Sequence, residues 1–132
     1  MVTKHAPLPL DHEKISKKIV DAAYTVHRNL GPGLLESVYE PCFCHELGKR
    51  GVEYKRQVTV PLVYDGIKFS EALRLDVLVE DKIICELEVV DALASVHTAQ
   101  LLTYLKLTEK RLGFLINFNV PIIKQGIKRV IL

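Results

Sequence analysis

The stretch CELEVV, residues 85–90, constrains this chain more than any other. It sets Glu86 and Glu88 two residues apart inside an otherwise apolar run of Ile83, Ile84, Cys85, Leu87, Val89 and Val90. A run of this length and β-branched content reads as a strand. Strand side chains alternate between faces, so the two carboxylates point to the same side, ~7 Å apart. Like charges so close repel each other and are costly to desolvate. The fold must give them solvent or a cation.

A third acid follows from pairing. Asp76 lies in LRLDVLV, and EDK makes a tight reversal before KIICELEVV. A reversal centred on Asp81 sets Asp76 directly opposite Glu86, with their Cβ atoms ~5 Å apart. Glu88 lies one step further along the same face. Three acids on one patch are the oxygen-donor set that hard cations such as Mg²⁺ or Mn²⁺ prefer, and a bound cation would remove the repulsion. A solvated sheet face, with Lys82 or Arg74 nearby, accounts for the same pattern.

The rest of the chain reads as a mixed α/β arrangement. Residues 1–11, with Pro7 and Pro9, are expected to be an extended lead-in. From His12, apolar residues recur three and four apart through Ile15, Ile19, Ala22, Ala23, Val26 and Leu30, predicting an amphipathic helix. Asp11 is its candidate N-cap and NLGPG its stop. A second helix is expected from about Gly33 to GKRG. Its stripe is Leu34, Leu35, Val38, Tyr39, Cys42, Phe43 and Leu47, and Pro41 should bend it. EYKRQVTVPLVY and KFSEALRLDVLV then read as strands joined by Asp65-Gly66, a hairpin dipeptide. Pro61 marks an edge or bulge. A helix from about Ser95, its candidate N-cap, to Glu109 precedes the strands RLGFLINF and GIKRVIL. The expected fold class is α/β (α+β): one domain over residues 1–132, with a central mixed sheet of about five strands flanked by helices.

Composition narrows the function classes. Net charge is +2 in 132 residues, too near neutral for a strongly basic nucleic-acid binder. Lys124, Lys128 and Arg129 nevertheless gather in the tail as a candidate nucleic-acid patch. A hydrophobic fraction of 48% in so short a chain suggests surface hidden in a homo-oligomer, a dimer or larger. No run is long and apolar enough for a membrane span, and the first residues lack a signal core. Three cysteines, an odd number, argue against a disulfide framework and for the reducing cytoplasm. Cys42, Cys44 and His45 do not have the spacing of a zinc site. GPGLLE lacks the lysine of a phosphate loop, and no serine sits in a nucleophile elbow.

One further set of polar residues stands out. In SVHTAQLLTYLKLT, His97, Gln100 and Tyr104 share one helical face, with Ala99, Leu102, Leu105 and Val96 as the expected apolar stripe. Glu36 opens the second helix, where an acid is favourable to the helix dipole without any other role.

GLLESVY, residues 33–39, carries Gly33, Glu36 and Tyr39 in the spacing of the GxxExxY proteins. These are a small prokaryotic group within the PD-(D/E)xK nuclease superfamily, and the chain resembles them from about residue 12 to 132. LRLDVLVEDKIICELE, VHTAQLLTYLKLT, GFLINFNVP and GIKRVIL carry the likeness further. The resemblance implies a nuclease-like core with Asp76 and Glu86 as metal ligands for Mg²⁺ or Mn²⁺. Glu36 is the assisting acid, and Gln100 with His97 and Tyr104 lies on the following helix; Tyr39 belongs to the signature. Where the family pattern has its lysine, this chain has Glu88, which would ligate metal or act as a general base. Exchanging a cation for an anion beside a phosphate penalises catalysis. The sequence therefore points to a weak or inactive nuclease-fold protein that binds or self-assembles. A Mg²⁺- or Mn²⁺-dependent phosphodiesterase acting on DNA or RNA through Glu-x-Glu is the alternative.

Overall fold

Helix α1 (Leu10–Leu30) follows the apolar period closely, burying Ile19, Ala22, Ala23 and Val26. In this computed structural model, which describes residues 6–132, the helix starts two residues before the expected His12. The first five residues of the expected lead-in lie outside the described residues. Pro9, not Asp11, occupies the N-cap, and its carbonyl accepts the His12 N–H at 3.0 Å. Asp11 instead sits in the first turn, where a negative charge suits the helix dipole. It pairs there with Lys82 at 2.8 Å.

Helix α2 (Glu36–Lys49) starts later than Gly33 because Gly31 and Gly33 adopt positive φ of 70° and 96°. That left-handed backbone suits glycine and not a helix. Leu34, Leu35 and Val38 are consequently exposed, against the expected stripe. The buried face is Tyr39, Glu40, Phe43, Cys44 and Leu47, and the helix runs on through Pro41.

The sheet has the order β1-β2-β3-β4-β5, with β1 (Tyr54–Tyr64), β2 (Ile67–Val79), β3 (Ile83–Glu88), β4 (Leu112–Asn117) and β5 (Ile127–Ile131). Pairing is antiparallel except between β3 and β4, which run parallel. Helix α3 (Ser95–Thr108) makes the crossover that a parallel pair requires. Asp65 and Gly66, both at positive φ, close the β1–β2 hairpin, and the register shifts across Pro61. β1 lies at a sheet edge, where a proline is tolerated.

Two apolar layers cover the sheet. Val77, Val79, Ile83, Cys85 and Leu87 pack toward α1 and α2. Leu75, Leu78, Ile84 and Leu115 pack toward α3. The buried residues of α3 are Leu101 and Leu105, whereas Val96 and Ala99 of the expected stripe are exposed. Ala94, not Ser95, is the N-cap residue. Its N–H donates to His97 Nδ1 at 2.8 Å, closing the first turn in the way a capping-box side chain does.

A short turn of 3₁₀ helix (Ile123–Gly126) leads into β5. A Cβ on Gly126 would lie 2.1 Å from the Asn117 carbonyl oxygen. Gly126→Ala should therefore destabilise the fold by about 3 kcal/mol, since a backbone atom must move to admit the methyl. Thermal denaturation reads the loss directly, and an unchanged midpoint would contradict this packing.

Candidate functional site

The β2–β3 ladder pairs Val79 with Ile83, Leu78 with Ile84 and Val77 with Cys85, then stops. β3 goes on alongside β4 as far as Glu88–Asn117, so β2 and β3 part like a fork. Asp76 and Glu86 stand where they part. The register that the preceding pairs set brings them opposite each other, and side chains replace the missing ladder bonds. The Asp76 N–H donates to Glu86 Oε2 at 2.9 Å, and the Leu87 N–H donates to Asp76 Oδ2 at 2.8 Å. One oxygen of each carboxylate is thus held by a backbone donor. The other makes no hydrogen bond among the described residues.

Further acids surround this clasp. Burial first, and then the charges of Asp76 and Glu88, push Glu36 up to about 7. Burial raises Asp76 to about 6 although the Leu87 N–H opposes it, and Glu40 and Glu88 add repulsion. Glu86, the most buried, rises to about 8 through desolvation and then the charge of Asp76. Glu88 is also raised by burial, with His97 pulling the other way. A cluster that holds protons this tightly is short of positive charge.

Helix α3 presents its polar face to the same place. The Tyr104 hydroxyl is raised by burial and by the nearby Glu86, Asp76 and Glu88, and it accepts a hydrogen bond from Gln100 Nε2 at 3.0 Å. His97 accepts the Ala94 N–H on Nδ1, which leaves Nε2 to carry the proton of the neutral ring.

The other sequence candidates lie elsewhere. Tyr39 is fully buried, and its hydroxyl donates to the Gly31 carbonyl at 2.6 Å and accepts the Leu34 N–H at 3.1 Å. Its ring stacks on Phe118 at 4.6 Å. Tyr39 thus ties down the loop that leads into Glu36. Lys124, Lys128 and Arg129 do not share one surface. Lys128 pairs with Leu115, of the α3-side core, whereas Arg129 pairs with Phe114 and is bound to Glu13 of α1. Lys124 lies on the 3₁₀ turn. All three cysteines are free thiols. Burial pushes Cys44 up to about 12, and Cys85 is raised well above the ordinary thiol value.

Sequence reasoning missed Glu40. It is buried, accepts the Arg56 Nη2–H at 2.9 Å and also binds the Gln57 amide. A glutamate between an aromatic residue and a proline on a helix face carries no sign of these partners, which lie sixteen and seventeen residues away.

The donor set is all hard oxygen and suits a divalent cation. Among the described residues, no three His, Cys, Asp or Glu side chains already stand close enough together to hold one. Asp76 and Glu86 offer a pair, and a third carboxylate would have to rotate inward. No described helix is long and apolar enough to cross a membrane.

Comparisons with curated proteins and with solved structures return no match. A family model described as the PD-(D/E)XK nuclease superfamily matches residues 13–130, from α1 through the acidic fork to β5. Mixed sheet, flanking helices and matched span agree, and the chain belongs to the PD-(D/E)XK nuclease superfamily.

Proposed function

We propose that this chain is a nuclease-fold protein of the GxxExxY type, with a Mg²⁺- or Mn²⁺-binding acidic site and weak hydrolytic activity on nucleic acid. The observation that carries the reading is the clasp of Asp76 and Glu86 at the fork, two carboxylates each fixed by a backbone N–H and each with an oxygen to spare. In this reading Asp76 and Glu86 hold the cation, with Glu88 or Glu36 rotating in to complete the set. A divalent ion supplies Lewis-acid polarisation of a phosphoryl oxygen and a more acidic water. The chain's own groups position the substrate. His97 Nε2–H is a donor for a phosphate oxygen, and Gln100 with Tyr104 orders water over the acids. The anion at Glu88 stands where charge develops on the phosphate, and Coulomb repulsion there slows the step.

Each signature residue has a physical role in this reading. Gly33 supplies a left-handed backbone, Tyr39 fastens the loop, and Glu36 is delivered to the acids.

Millimolar Mn²⁺ should raise the melting temperature of the wild type by several degrees, and Asp76→Ala should abolish the rise. A nuclease assay on single- and double-stranded DNA and RNA should show slow, metal-dependent cleavage that Asp76→Ala removes. No metal-dependent stabilisation and no cleavage would overturn the reading.

We propose also that the chain self-associates through the outer β1–β2 hairpin. Leu62, Tyr64, Ile67 and Phe69 share one face there, and Tyr64 is 71% exposed. Ile67→Lys with Phe69→Lys should then reduce the mass measured by light scattering to that of a monomer. A monomeric wild type at micromolar concentration would refute it. Three free thiols, two of them buried, support a reducing, cytoplasmic setting.

A further inference from the structure

We propose that Glu40 is a positioning residue: it pins Gln57 in a left-handed backbone conformation, and the resulting kink frees Asp76 from the β1–β2 ladder to clasp Glu86.

The β1–β2 pairing has one gap in its inner half. Arg56 pairs with Val77 and Val58 pairs with Leu75, but Gln57 and Asp76, which the same register sets opposite each other, do not pair. Gln57 has φ of 53° in the middle of a strand. A non-glycine side chain rarely adopts that conformation without something to hold it there, and such residues cluster at functional sites.

Both strands change faces at this gap. Below it, Arg56 turns to Glu40 on α2, and Val77 packs in the core on that side. Above it, Val58 and Leu75 pack in the core under α3. In an unbroken strand, residues two apart share a face. The kink at Gln57 and Asp76 therefore rotates the two strands together, and the fork opens beside it.

Glu40 holds the kink. Its Oε2 accepts Arg56 Nε–H at 3.2 Å and Nη2–H at 2.9 Å, and its Oε1 accepts the Gln57 amide. One buried carboxylate thus grips two successive residues of β1, which an alternating strand would send to opposite faces. Only the left-handed turn at Gln57 lets both reach α2. With Gln57 turned away, Asp76 has no ladder partner on β1, and its N–H and carboxylate serve the clasp.

The proposal concerns the clasp itself and rests on the metal-binding reading only for what the clasp is used for. Amide hydrogen exchange of the full chain, followed by NMR, tests it at the two donors, the Asp76 and Leu87 N–H groups. Glu40→Gln should speed their exchange at least tenfold while amides of the β3–β4 ladder keep their rates. Gln57→Val should do the same from the exposed side of the kink, because a β-branched residue resists positive φ. Gln57→Gly should leave the clasp intact, and Glu40→Gln with Gln57→Gly should restore it, since glycine needs no help to turn left-handed. Unchanged exchange in Glu40→Gln, or no rescue by glycine, would overturn the assignment. Mn²⁺ titration of the same variants separates the two claims. Weaker binding in the order of clasp loss supports both. If the variants show the exchange pattern but the wild type binds no Mn²⁺, the metal reading fails and the positioning role stands.

Discussion

Metal-free protein should lose stability as the pH rises from about 5 to about 8, the reverse of what salt-bridged carboxylates produce. Glu86 is raised from 4.5 to about 8, Glu36 to about 7 and Asp76 to about 6, chiefly by burial. Above pH 4.5 the unfolded chain has released these protons while the native site still holds them. The native state therefore binds more protons than the unfolded one, and stability falls with pH. The contribution is complete below the unfolded value near 4.5 and has gone once the pH passes the folded value near 8. For Glu86 alone this is worth on the order of 4 kcal/mol across the window. The carboxylates with lowered values act elsewhere: Asp11, held down to about 2 by Lys82 and His12, loses its contribution only in acid. Urea denaturation in EDTA at pH 5 and pH 8 measures the slope, and Glu86→Gln should remove about half of it, the rest belonging to Glu36 and Asp76. Saturating Mn²⁺ should reverse the trend, because a divalent ion competes with those protons for the same oxygens. A stability that is level or rises between pH 5 and 8 in EDTA would show that the acids are solvated, and would remove the case for a cation.

Several features of this fold are local enough to be read from the chain. Asp65-Gly66 specifies a two-residue hairpin by itself, and the structure closes β1 onto β2 there. The reversal around Asp81 fixes the β2–β3 register, because a one-residue slip would turn Val77 and Val79 out of the core. The candidate acids on β2 and β3 follow from that register alone. Leu34 and Leu35 misled the helix reading because apolar spacing carried across Gly33, whose positive φ ends the helical pattern. The basic tail misled in another way. Lys128 and Arg129 are neighbours in sequence, but a strand sends neighbours to opposite faces. Glu40 and the kink at Gln57 could not be read at all. They depend on α2 lying over the start of β1, a contact between distant segments that no local pattern encodes.

Glu88→Lys should convert a weak site into an effective one, raising metal-dependent cleavage by about 10²- to 10³-fold, the scale on which one well-placed electrostatic group acts. The place is well defined. Glu88 ends β3 two residues beyond Glu86, and its carbonyl accepts the Phe118 N–H at 3.1 Å, so the backbone there is fixed whatever side chain it carries. The side chain is half-buried, which makes its charge count for more than it would in water. The native carboxylate adds an anion to a site that already holds Asp76, Glu86 and Glu36. A lysine removes that repulsion, brings a proton donor toward the phosphate and lowers the proton affinity of its acidic neighbours. The substitution should cost some Mn²⁺ affinity if Glu88 is a ligand, so the gain belongs in the turnover rate at saturating metal. Glu88→Gln removes the charge without adding a cation and should give a smaller gain, which separates relief of repulsion from lysine chemistry. In an Asp76→Ala background neither variant should gain, because the cation would have lost one of its two fixed ligands. If Glu88→Lys folds and binds Mn²⁺ yet cleaves no faster than wild type, the glutamate is not what limits this site. The defect would then lie in the third carboxylate that has to rotate inward.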